Sequence, residues 1–409
     1  MRLFWGILFL AVTSIQTQAI SFQILTHDNI RDSKGFGISD DGSTIFGTAR
    51  SLDDSFGIVA VKWDVSDGSM TVLPDTVLEL RGFTLINGVP VETYSFLESQ
   101  PFDISSDGSK IIGLAEFTDR VMQPFVWTEE SGMQQLHVEM PPQFRDTHAT
   151  GISGDGAKVV GWFDTTPATV ETSYIWTESG TSPLIVPSMG GLYHYAAGIS
   201  ADGSTVIGHF QTRDSWDIQA FRWTAQEGLQ SLGDLPGGRT HSFATAANSN
   251  GSTIVGFGSP GEPGADGPFD GVNQVAFIWS KENGMRSLGS LSPGEPNSRA
   301  YGVNGDGTVV VGETRSPDSN KAFIWTEERG MRSIGQMLEQ NGEDLAEWSL
   351  LNATGISSDG KKIVGTAYRT ENTIYNVEYA VWIATIPEPT ASFWLLSGLS
   401  ILYRRRQNV

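Results

Sequence analysis

Short apolar runs alternate with small polar turns along almost the whole chain, and one phrase recurs within that pattern. Gly37-Ile38-Ser39-Asp40-Asp41-Gly42-Ser43-Thr44-Ile45-Phe46-Gly47 returns at residues 103–113, 151–161, 198–208, 246–256, 302–312 and 355–365. Each copy is followed by an apolar run closing on a tryptophan: Trp63, Trp127, Trp176, Trp223, Trp279, Trp325 and Trp382. The Asp-Gly or Asn-Gly turns lie 66, 48, 47, 48, 56 and 53 residues apart. A period near 50 residues is the signature of a propeller or a repeat array, and it leaves little chain for a separate catalytic domain.

One period reads as four strands. Residues 148–153 form a strand of small side chains, 158–163 a β-branched strand, 173–177 a third and 183–186 a fourth. Asp155-Gly156 between the first two is a strong hairpin signal and predicts a type I′ turn with both central residues at positive φ. A single four-stranded sheet cannot bury both faces, whereas seven stacked radially can. The pattern therefore predicts an all-β, seven-bladed β-propeller with four antiparallel strands per blade. Small residues such as Ala149, Ala196, Ala244, Ala300 and Ala353 place the first strand innermost, where blades converge.

The last repeat supplies only three strands before Pro387, while residues 20–25 alternate like a strand and belong to no blade. An incomplete blade would expose a hydrogen-bonding edge. Residues 20–25 are therefore expected to form the outermost strand of the last blade, beside residues 379–382.

Composition narrows the function classes. The absence of cysteine excludes disulfides and Cys-ligated metals, and a formal charge of -21 argues against nucleic-acid partners. Asp41, Asp107, Asp155, Asp202, Asp306 and Asp359 sit in the turns, but each turn offers mostly one carboxylate where Ca²⁺ wants 6–8 oxygens. Asn250 stands at the same place in the fifth repeat, which keeps the turn and gives up the charge. No metal and no cofactor is expected. The in-phase tryptophans read as packing between blades; Trp162, Trp216 and Trp348 are out of phase and open to an exposed role.

Both ends carry address signals. Arg2, an apolar stretch at 3–12 and small residues up to Ala19 predict a secretory signal over residues 1–19, cleaved after Ala19. At the other end Pro387-Glu388-Pro389 precedes an apolar segment and Arg404-Arg405-Arg406. The segment is shorter than a permanent span. The final 24 residues, 386–409, resemble the PEP-CTERM sorting signal of Gram-negative bacteria that make exopolysaccharide. That resemblance implies transient membrane association, removal by an exosortase-type protease, and a mature life at the cell surface or in the extracellular matrix. The body between, residues 20–385, is expected to be the seven-repeat propeller, and from about residue 30 to 385 it resembles the HAF repeat of extracellular bacterial proteins through Ala276-Phe277-Ile278-Trp279, Ala322-Phe323-Ile324-Trp325 and the phrase at 232–238. That family brings no settled activity.

Candidate chemistry concentrates where the repeats vary. In a four-stranded meander the first and third turns share one end, here short and uniform. The second turns and the inter-blade loops share the other, here variable, and binding residues gather on such loops. That end collects Arg145, His148, Tyr193, His194, Tyr195, Trp216, Arg239, His241 and Arg299, plus insertions near 74–100 and 258–270. No nucleophile elbow, zinc-protease motif or phosphate loop is present. The expected function is an exported, non-catalytic propeller binding a polysaccharide, such as exopolysaccharide, or a surface protein. The alternative is a polysaccharide hydrolase or lyase on the same scaffold; among 47 acidic residues the sequence selects no carboxylate pair.

Overall fold

The computed structural model describes residues 20–386, apart from 52–56, 74–78, 87–88, 96–97, 118–121, 140–143, 166–171, 185–192, 212–216, 237–240, 260–273, 293–296, 316–319 and 371–376. Residues 1–19, expected to be a signal, and all but Ile386 of the expected sorting tail, residues 386–409, lie outside the described residues.

Seven four-stranded antiparallel sheets form a ring, a seven-bladed β-propeller. Blade four shows the pattern: Tyr193–Ile199, Thr205–Gln211, Ile218–Thr224 and Gly228–Ser231 run as a meander from the inside outward. Blade seven takes its fourth strand from the start of the chain. Ser21–Leu25 lies against Val377–Thr385 with Ser21 opposite Thr385 and Leu25 opposite Val381. Leu25 is buried where blades one and seven meet, and Phe22 and Ile24 pack on the core of blade seven.

The core is a series of layers between neighbouring sheets. Ile207 and Ala220 of blade four meet Ile254 and Phe277 of blade five, and each junction repeats this arrangement with local changes. Burying apolar area of this kind contributes about 25 cal/mol per Å². The in-phase tryptophans serve these layers: Trp63, Trp127, Trp325 and Trp382 are buried, and Trp176, Trp223 and Trp279 are half-buried. Hydroxyls stitch the layers together. The backbone N–H of Ala60 donates to Ser99 Oγ, that of Ala220 to Ser242 Oγ and that of Ala276 to Ser298 Oγ, each at 2.9 Å.

The Asp-Gly turns differ from the sequence expectation in type. Gly42 N–H donates to the Ser39 carbonyl and Ser39 N–H to that of Thr44, and Gly42 alone has positive φ. Asp41 does not, so the turn is not I′. The aspartate acts through its side chain: Asp41 Oδ1 accepts from Ser39 Oγ (2.6 Å) and from the Ser43 N–H (2.8 Å). Asp107, Asp155, Asp202 and Asp359 repeat this with Ser105, Ser153, Ser200 and Ser357. These hydrogen bonds hold the turn carboxyls below the usual carboxylate range, against a burial effect that is the largest single influence at Asp41, Asp202 and Asp359.

At this end of the ring each blade is also tied to the next through the main chain. The N–H groups of Asp41, Ser106, Gly154, Asp202, Ser249, Gly305 and Ser358 donate in turn to the carbonyls of Ser106, Gly154, Ala201, Ser249, Gly305, Ser358 and Asp40. The circuit closes on itself. The chain ends leave from the same face: Ser21 pairs with Thr385, and the Ile386 N–H donates to Lys361 next to the last Asp-Gly turn.

Two elements escaped the repeat pattern. The insertion after blade one carries a hairpin, Glu79–Ile86 with Val89–Ser95. Between blades six and seven lies a short helix, Ile334–Gln340, capped by Ser333, whose Oγ accepts from the Gln336 N–H. Its Ile334, Met337 and Leu338 are buried, the i, i+3, i+4 spacing of one helical face.

Candidate ligand site at the variable mouth of the channel

The innermost strands line a central channel. Their residues Phe36, Phe102, Thr150, Ala197, Thr245, Tyr301 and Thr354 occupy equivalent places in the seven blades and wall a cavity of about 230 Å³. Toward the variable-loop end, the next ring is built from cross-strand pairs of first and second strands. In blades three to six these are His148 opposite Trp162, Tyr195 opposite His209, Phe243 opposite Phe257, and Arg299 opposite Glu313.

These side chains join across the blade boundaries into one arc. His148 stacks on Trp162 with ring centroids 3.8 Å apart, and Trp162 meets Tyr195 edge-on at 5.2 Å. Tyr195 stacks on His209 at 4.8 Å, and His209 meets Phe243 at 4.9 Å. Phe243 stacks on Phe257 at 5.1 Å, and the Arg299 guanidinium lies 4.8 Å from the Phe257 ring. All seven are half-buried, so each keeps an edge or part of a face toward solvent. Such pairs contribute about 0.5–1.5 kcal/mol each beyond their buried area and hold the rings in fixed orientations. Burial pushes His209 down to about 4, so it takes part as a neutral imidazole.

The remainder of the ring is different. Blades seven, one and two place Asn352 with Thr366, Lys34 with Thr48, and Gln100 with Leu114 there. The aromatic surface is therefore one-sided.

The residues singled out from the sequence separate into three sets. His148, Tyr195 and Arg299 belong to the arc. Tyr193, His194 and His241 lie near it in other settings. Tyr193 is half-buried at the start of its strand, opposite Gln211. His194 is buried between blades three and four, where its Nδ1 accepts from the Ser173 N–H at 3.1 Å. It takes the place of Ser99, Ser242 and Ser298 at other junctions, and burial holds it at about 4. The His241 N–H donates to Asp234, whose carboxyl burial pushes up to about 6. Trp216, Arg239 and the side chain of Arg145 lie outside the described residues. His209, Phe243, Phe257, Tyr301, Glu313 and Arg315 are site residues that the sequence reading did not select. Among the described residues no three acidic or histidine side chains come together to hold a metal ion.

Deeper in the channel, Asp103 stands where other blades have Gly151, Gly198 or Gly302. Its carboxylate accepts from the Ile104 N–H (2.9 Å) and the Ile152 N–H (2.8 Å) of the next blade. Burial outweighs these bonds and pushes it up to about 7. A folded pKa above the unfolded one means stability present at low pH and lost as pH rises through the folded value. Asp103→Asn cannot ionise. Its melting temperature relative to the parent protein should therefore rise between pH 5 and pH 8. Parallel pH profiles would show that Asp103 does not titrate in this way.

Comparison with known proteins adds the fold's neighbours. No family model and no curated protein matches the chain. Among solved structures, the oligogalacturonate lyase of Vibrio parahaemolyticus is similar with a TM-score of 0.53 at 12% identity, covering 91% of this chain and 98% of that one. An oligogalacturonate lyase in complex with manganese gives 0.54 at 14%, covering 91% and 97%. TolB from Acinetobacter baumannii gives 0.44 at 14%; the match covers 72% of this chain and 63% of TolB. At such identities the likeness shows the propeller fold alone.

Proposed function

We propose that the protein is an exported, non-catalytic propeller that binds a polysaccharide at the cell surface or in the extracellular matrix, across the aromatic arc at the variable mouth. The arc is the observation that carries this reading. Half-buried, pre-oriented rings on a rigid frame suit the apolar faces of sugar rings and lose little entropy on binding. The signal-like start and the tail resembling PEP-CTERM support export, with an exosortase-type protease as the processing partner. A surface protein remains the competing ligand class.

The hydrolase or lyase reading has less support. Glu313, the acid paired with Arg299 at the end of the arc, is engaged by Tyr301 and Arg315. Tyr301 is pushed up to about 12, chiefly by burial and then by Glu313, so it keeps its proton at neutral pH. Two of the similar structures are oligogalacturonate lyases, a likeness of scaffold.

Blade two supplies substitutions that the scaffold already accepts at the arc positions, Leu114 and Gln100. Trp162→Leu and Tyr195→Gln should each weaken retention on immobilised polysaccharide of the native host about tenfold, the equivalent of ~1.4 kcal/mol. Melting temperatures should change little. Retention unaltered in both variants would remove the arc from the ligand site, and reducing sugar released from the same polymer would favour the enzyme reading.

A further inference from the structure

The arc does not end in another ring. It ends in blade six on a polar node, and the chemistry of that node narrows the class of sugar. Arg299 lies on Phe257, and its Nε donates to Gln274 Oε1 at 2.6 Å. Glu313, opposite Arg299 on the second strand, is buried. Glu313 Oε1 accepts from Arg315 Nε at 2.7 Å and from the Tyr301 hydroxyl at 2.8 Å. The two guanidinium groups both lie against the Tyr301 oxygen.

Two features distinguish this node from a structural ion pair. First, its charges do not cancel: two arginines face one carboxylate in a chain whose formal charge is -21. Among the described residues Arg299 is held by a neutral amide and an aromatic face, not by an ion pair. Second, the anion is sealed and the cation is accessible. The Glu313 side chain is 4% exposed and that of Arg315 is 35%. Both arginines are anchored through Nε, and the terminal N–H groups not turned to Tyr301 are donors suited to a planar carboxylate. Lys34 adds a further cation to the same ring of positions, in blade one, where it lies over Tyr379.

We infer that the blade-six node, Arg299 with Arg315, is a carboxylate subsite, and that the polymer lying on the arc is an acidic, uronate-bearing polysaccharide. This rests on the polysaccharide reading above and deepens it. Sugar rings lie along Trp162, Tyr195 and Phe243, and a uronate carboxylate bridges the two guanidinium forks. Glu313 and Gln274 act as positioning residues.

The test compares two probes in titration calorimetry: oligomers of galacturonate and of mannuronate, and the same oligomers with their carboxyls reduced to alcohols. The parent protein should bind at least one uronate oligomer about tenfold or more tighter than its reduced form. Arg299→Gln should abolish that preference, so that its affinities for the uronate oligomer and for the reduced form become equal; Arg299→Lys, which keeps charge but loses the fork, should retain part of it. Arg286→Gln, at the outer ion pair with Glu327, should behave as the parent. Equal affinity for acidic and reduced oligomers would overturn the subsite and leave the arc reading intact. Absence of binding to every oligomer would overturn both. An Arg299→Gln protein that loses both affinities together, with a lowered melting temperature, would assign Arg299 a structural role and overturn the subsite.

Discussion

Removal of residues 20–25 from the otherwise mature protein should lower its melting temperature by roughly six degrees or more. The segment is a full member of blade seven, paired residue for residue from Ser21 opposite Thr385 to Leu25 opposite Val381. Its loss uncovers the apolar layer under Phe22, Ile24 and Leu25. At about 1.5–3 kcal/mol for each fully buried side chain, and less for the half-buried pair, the loss is on the order of 5 kcal/mol. It also turns Val377–Thr385 into an open edge, so the truncated protein should aggregate more readily on heating. A truncated protein that melts with the parent would show that the ring holds without its closing strand.

The second large effect concerns a pair of glycines in one repeat. A Cβ at Gly208 would come within 1.9 Å of the Tyr195 carbonyl oxygen and 2.9 Å of the Phe221 ring. The backbone of the inner strand cannot retreat, because it is fixed between blades. Gly208→Ala should therefore cost about 3 kcal/mol or more and disturb the arc through Tyr195 and His209. A Cβ at Gly198 meets nothing closer than Ile207 at 3.8 Å, and blade five already has Ala246 there. Gly198→Ala should be close to neutral. Thermal melts of the two variants check the contrast, and equal losses would refute the close-approach explanation.

That contrast also shows how much of the molecule was legible in its sequence. Glycine at 47, 113, 161, 208, 256, 312 and 365 marked the repeat, and the repeat carried blade number, strand order and the closure by Ser21–Leu25. The turn type was misread because Asp-Gly has two solutions, and here the aspartate side chain, bonded to Ser39 and the Ser43 N–H, selects one with only the glycine at positive φ. The helix Ile334–Gln340 was hidden by brevity. The arc was half visible. His148, Tyr195 and Arg299 stood out, and Trp162 as an out-of-phase tryptophan, but the partners His209 and Phe257 sit on the second strand, and the continuous arc arises only when one blade meets the next. The usable signal was positional: the residue after each repeat's last glycine is variable in an otherwise constant phrase, reading Thr48, Leu114, Trp162, His209, Phe257, Glu313 and Thr366. His194 looked like its neighbours in sequence, yet alternation along the strand turns it into the blade junction, where its Nδ1 replaces a serine hydroxyl.

Both chain ends leave the propeller on the Asp-Gly face, and the arc lies toward the opposite one. Any attachment made through Ile386 would therefore hold the molecule by its base and point the channel mouth outward. Copies held on one surface would present parallel mouths at a common height. A long polymer laid over them would meet several at once, and weak single contacts would add to a grip set by the spacing of the copies.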